Sequence, residues 1–194
     1  MTVVALLEPT HYHYNPRAVD LAGLMLRLIL GVTMIAHGYN HIWGGGKIEG
    51  TGRWFESLGL RPGIVHAWLA SITELGAGVM LIIGLFNPVA AAGVVGVMTV
   101  AFLCNHRPNG FFIFRPGEGY EYVLNLAIAG LALGALGPGR WSLDRVIGHQ
   151  PAGWTGLAIT AVLGLGGALL LLAVFWRPDK PASETETPAE PTAD

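Results

Sequence analysis

Residues 154–176 contain no charged side chain. A bilayer's hydrocarbon layer is about 30 Å thick, so a helix crosses it in about 20 apolar residues. A run of this length and polarity has one stable setting, a helix in lipid, where every backbone N–H and C=O is bonded within the segment. Four more segments read the same way: 21–43, 64–86, one from Asn87-Pro88 to about Cys104, and 120–136. The third and fourth are short, and span only if their ends extend into the loop between them. Composition agrees. Hydrophobic residues make up 52% and charged residues 12%, against about 25% charged in an ordinary soluble domain. The chain is expected to be an all-α integral membrane protein.

Other classes are excluded by simple counts. Eleven Lys and Arg against thirteen Asp and Glu leave no basic excess for nucleic-acid phosphates. A single cysteine forms no internal disulfide. Residues 1–20 lack a basic start followed by an apolar run, so no cleavable signal peptide is expected there. They read as a surface arm, in which His11 and His13 have weak spacing for a metal. Residues 178–194 are rich in Pro, Glu and Thr and read as a disordered acidic tail.

Five crossings place Arg17, Arg140 and Arg145 on one side. The other side takes Lys47, Arg53, Arg61, Arg107, Arg115, Arg177 and Lys180. The excess of basic residues marks the cytoplasmic side. The N-terminus is then expected outside and the C-terminus inside, in the inner (plasma) membrane. Asn87-Pro88 makes a tight turn between spans two and three. Trp43, Trp68, Trp141, Trp154 and Trp176 sit near span ends, where aromatic side chains anchor. Glycines recur on the spans (Gly93, Gly96, Gly130, Gly134, Gly164, Gly166 and Gly167) and allow close helix approach. Such tight packing argues mildly against a channel. In the loop 44–63, Trp54, Phe55 and Leu58 share a face flanked by basic residues, the pattern of a short helix lying on the membrane surface.

Polar residues inside the spans are costly and mark function or pairing. Arg27, Gly31, Met34, Gly38 and His41 form one stripe of the first span, so Arg27 faces the bundle. Glu74 lies near the middle of the second span. It is protonated, paired with Arg27 or a histidine, or placed in a polar cavity, and its functional reading is a proton or quinone-ring partner. His37 and His41 stand at i and i+4, on one helix face. With Cys104 and His106 at the end of the third span they form a mixed ligand set suited to zinc or a Rieske-like [2Fe-2S] centre. Haem on one of these histidines is the weaker option. Glu121 opens the fourth span beside Tyr120, where an acid also complements the helix dipole. Asn125 lies one turn deeper on the same face. His37, His41, Cys104, His106 and Glu121 are thus expected in one layer, with Trp54 as part of a lid. His66 and His149 read as interfacial.

These residues resemble the DoxX family of small membrane proteins. The likeness runs from about Arg27 to Asp144: Arg27 and Gly31, His37-Gly38, then Gly52, Phe55 and Gly59. It continues through Glu74, Gly76 and Gly84, Ala101, Glu121, and Gly137-Pro138-Gly139 followed by Ser142-Leu143-Asp144. The resemblance implies a four-helix membrane core over 21–144, here with a fifth transmembrane helix at 154–176. It also implies a role beside quinone-linked oxidoreductases. Members commonly carry Lys where this chain has His41.

The first functional expectation is a membrane-anchor and electron-transfer subunit of a respiratory oxidoreductase, with a succinate-dehydrogenase-like complex as one form. Soluble redox subunits would dock on the cytoplasmic face in a hetero-oligomeric complex and pass electrons to menaquinone or ubiquinone. Glu74, Glu121 or Tyr120 would supply protons, Arg27 would tune Glu74, and His37, His41, Trp54 and Asn125 would line the quinone site. The alternatives are a non-catalytic scaffold that recruits a redox enzyme, and a small proton-coupled transporter.

Overall fold

The computed structural model describes residues 15–178. The N-terminal arm with His11 and His13, and the acidic tail from residue 179, lie outside the described residues. The rest is helical: α1 (Pro16–Trp43), α2 (Lys47–Ser57), α3 (Gly63–Ile83), α4 (Asn87–Asn109), α5 (Glu121–Leu136), α6 (Leu143–Ile147) and α7 (Gly153–Phe175). Among the described residues there is no strand beyond one isolated bridge between Leu60 and Trp176. The protein is an all-α membrane protein.

Local chemistry sets the helix ends. The Asn15 side chain accepts the N–H groups of Arg17 and Ala18 and starts α1, with Pro16 at the first position. The helix therefore begins inside the expected arm, five residues before residue 21. Four helices are long and apolar enough to cross a membrane: α1 with 28 residues, α3 with 21, and α4 and α7 with 23 each. The short third span is lengthened because α4 continues through a π-helical turn at Phe102–His106 and a 3-10 turn to Asn109. The fourth, α5, has only 16 residues, roughly 24 Å of helix.

α4 is the hub of the bundle and packs on α3, α5 and α7, while α1 packs on α3. Leu30, Met34, Leu81, Ala91, Val94, Met98, Val123 and Leu133 form the shared core. Lipid offers no hydrophobic drive for helix association, so backbones must come close enough for dispersion to hold them. Gly31 and Gly78 do this for α1 and α3. A Cβ on either would sit 2.7–2.8 Å from the other's carbonyl oxygen. The α1 stripe of Gly23, Arg27, Leu30, Gly31, Met34 and Gly38 is buried, as its spacing predicts.

The fifth span folds back over the core. The Trp176 indole N–H donates to the Leu58 carbonyl (2.8 Å), and the Arg177 N–H donates to that of Gly59 (2.7 Å). The end of α7 is thereby latched to the segment joining α2 to α3. Trp176 is not a free interfacial anchor.

Candidate functional site

A cleft of about 600 Å³ opens between α1, α2, α3, α4 and α7. Most of its wall is apolar: Leu69, Ala70, Ala92, Val97, Met98, Leu163, Ala168 and Leu171. Polar groups collect where α1 and α4 end and α3 begins: His37, His41, His66, Cys104, Asn105, His106 and Glu118. Trp54, Phe55 and Leu58 of α2 also line the cleft, which is the placement expected of a lid. Gly93, Gly96, Gly164 and Gly167 are also in the wall. Gly93 and Gly164 bring α3, α4 and α7 into close contact, and Gly167 faces open space. Both π-helical turns, Phe102–His106 in α4 and Val162–Gly166 in α7, contribute residues to the cleft. Such turns occur frequently at functional sites.

Glu74 is the buried charge of the cleft, 2% exposed. Its Oε2 lies 3.0 Å from His41 Nδ1. That is ion-pair distance, yet the contact lacks hydrogen-bond geometry, so both atoms remain without a hydrogen-bond partner. The His41 backbone is held by the Thr51 hydroxyl, which donates to its carbonyl (3.0 Å), and its ring meets Phe55 edge-on at 5.9 Å. His37 stacks on Tyr122 with 6.1 Å between ring centres.

Arg27 does not reach Glu74. It is 1% exposed and sits fourteen residues from His41 along α1, about 21 Å of helix. Its Nη1 donates to the Leu81 carbonyl (3.4 Å) and its Nη2 to that of Trp141. Asp144, in the first turn of α6, accepts the N–H groups of Phe86 (2.7 Å) and Asn87 (2.8 Å), capping α4 across the fold. Asn87 donates to the Leu133 carbonyl (2.9 Å). Gly84 turns left-handed with φ +69, and a Cβ there would fall on Arg27 Nη1. Arg27 thus ties α1, α3 and the segment before α6 together, instead of tuning Glu74.

Of the other expected residues, His37, His41, Trp54, Cys104 and His106 line the cleft, whereas Glu121, Tyr120 and Asn125 do not. Glu121 accepts the Ile113 N–H (3.3 Å) and braces its loop. Tyr120 packs edge-on between Phe102 and Phe111. Asn125 is exposed and donates to the Glu121 carbonyl (2.8 Å). The expected layer therefore keeps four of its five members.

The four-ligand metal set is not assembled. Among the described residues no three His, Cys, Asp or Glu side chains form a group that could hold a metal ion. Two local bonds explain part of this. His106 Nδ1 lies 2.8 Å from the Glu118 carbonyl, so it carries the proton and donates. Its Nε2 then faces the Asn105 amide at 3.4 Å. His41 Nδ1 is turned to Glu74.

Sequence reasoning missed His66, which is buried at 4% rather than interfacial. The last turn of α7 covers it, with Phe175 edge-on at 5.1 Å. The available signal was its position eight residues before Glu74, close to the same face of α3.

Residues 22–107 match the DoxX family. An uncharacterized membrane protein of Mycobacterium tuberculosis is 28% identical over 143 residues, covering 67% of this chain and 86% of that relative. No solved structure matches. The match spans most of α1 through nearly all of α4, which include Arg27 and the His41–Glu74 pair, and over this region the chain is similar to the DoxX family of membrane proteins.

Proposed function

We propose that this protein is the membrane subunit of a quinone-linked oxidoreductase and that the cleft holds the quinone. DoxX is linked to oxidoreductase-related roles at the membrane. The observation that carries the reading is the polarity of the cleft. Long apolar walls suit an isoprenoid tail, and one buried carboxylate paired with an imidazole waits beside them with unsatisfied atoms. A small-molecule site is expected to be mostly apolar with a few convergent polar groups. In a membrane protein, an intramembrane acid marks a proton path or a polar ligand.

In this reading the His41 ring, backed by Glu74 at its Nδ1, donates its Nε2–H to a carbonyl of the quinone head. The pair then hands on one of the two protons that accompany two-electron reduction. The electrons come from a soluble redox partner. Its docking face is the cleft's polar end, where Lys47, Arg53, Arg61, Arg107, Arg115 and Arg177 gather, against Arg17, Arg140 and Arg145 at the other end. That excess supports placing the α2 face in the cytoplasm. The histidine and cysteine side chains act here as a ring pocket, not as ligands of a metal centre.

The test is quinone reduction by the purified complex in lipid nanodiscs. Glu74→Gln and His41→Ala each slow it by about 100-fold or more, the usual worth of a positioned proton donor. An unchanged rate in both variants overturns the reading.

A further inference from the structure

The His41–Glu74 pair satisfies only one end of a head group. His66 offers a second, independent polar contact. It lines the same cleft, is 4% exposed, and has no hydrogen-bond partner on either ring nitrogen. A neutral imidazole has one N–H to donate and one nitrogen that accepts. Burying both unbonded is unfavourable. Leu60, Leu69 and Ala70 line the same cleft and none offers a side-chain hydrogen bond, and Phe175 meets the His66 ring edge-on at 5.1 Å.

We propose that His66 is the second anchor of a ring ligand that carries two opposed oxygens, with His41–Glu74 as the first. The ligand class is a para-dicarbonyl ring, and the inference rests on the quinone reading above. Spacing supports it. Residues 66 and 74 are eight apart on α3, which sets their backbones about 12 Å apart along the helix axis. The His41, Glu74 and His66 side chains all line the same cleft, so a ligand that meets both anchors must carry polar atoms at two separate ends. A ligand with one carbonyl, or a lipid tail alone, would leave His66 unsatisfied.

The experiment titrates the full chain in lipid nanodiscs with a short-chain para-quinone and with a mono-ketone that has the same ring and tail. Quenching of tryptophan fluorescence reports occupancy, since Trp54 lines the cleft. His66→Phe keeps the shape of the wall and removes the hydrogen bond. The expected result is quinone binding weakened about fivefold, the worth of one hydrogen bond, with mono-ketone binding unchanged. The apparent Tm without ligand should be unchanged or higher in this variant. Equal losses for both ligands, or no loss for the quinone, overturn the anchor while leaving the quinone reading in place. Failure of the quinone to bind the unmodified protein overturns both. Should the variant not fold, the unmodified protein still decides. A quinone preference of about fivefold over the mono-ketone supports the anchor, and equal affinities overturn it.

Discussion

At one end of the bundle Asp144 commits both carboxylate oxygens to the N–H groups of Phe86 and Asn87, and Arg27 donates to two carbonyls beside it. At the other end Glu74 meets His41 at 3.0 Å, yet its Oε2 makes no hydrogen bond. Both acids are almost fully buried. The difference lies in what surrounds them. Asp144 is bonded to backbone and does not line the cleft. Glu74 lines a cleft of about 600 Å³. An acid with both oxygens bonded to backbone holds helices together, and one with an unbonded oxygen on a cleft is set for a ligand. Arg27 Nε and Asn87 Oδ1 are also unbonded at the closed end, but neither residue lines the cleft.

The contrast is broken most directly at the closed end. Asp144→Ala removes the cap of α4 and leaves the Arg27 charge buried without its neighbour. The expected cost is about 3 kcal/mol or more. It should appear as a large fall in Tm, or a loss of folded protein on size-exclusion chromatography in detergent. If Asp144→Ala keeps the native Tm, the closed end is not the structural lock.

Gly84→Ala is next. The new methyl would fall on the Arg27 guanidinium at a residue with φ +69. A cost of about 2 kcal/mol is expected, and thermal unfolding measures it. Asn87→Ala leaves the Leu133 carbonyl without its donor, for about 1 kcal/mol. At the open end the same measurement should move least. Glu74→Gln should change stability by less than about 1 kcal/mol, because the acid has no complete hydrogen bond to lose. Quinone reduction by the same variant should collapse. If Glu74→Gln unfolds the protein as Asp144→Ala does, the two ends are alike and the contrast fails.

The polar layer was only partly legible. His37 and His41 are found on one face because i, i+4 spacing guarantees it, and Cys104 and His106 reach the same cleft because α4 ends at that depth. Helix geometry gives a residue's face and height. It does not give the neighbour across the gap. The spacing therefore left Glu74 open between Arg27 and a histidine. Glu121 stands at the right depth but on a helix turned so that it braces the loop at Ile113. Asp144 acts 57 residues away from the N–H of Asn87, a link that no local pattern records.

The sequence by itself determined the membrane class, the apolar helices, the amphipathic α2, and the stripe of Arg27, Gly31, Met34 and Gly38 on the inward face of α1. These follow from hydropathy, length and period, which are properties of each segment alone. Only the tertiary structure decided that Arg27 bonds the Leu81 and Trp141 carbonyls and not Glu74, that α7 latches onto residues 58–61, and that Phe175 packs on His66. Those outcomes depend on the order and rotation of helices around α4. Lipid provides no hydrophobic drive to fix that order, so it is set by which small residues let which backbones approach.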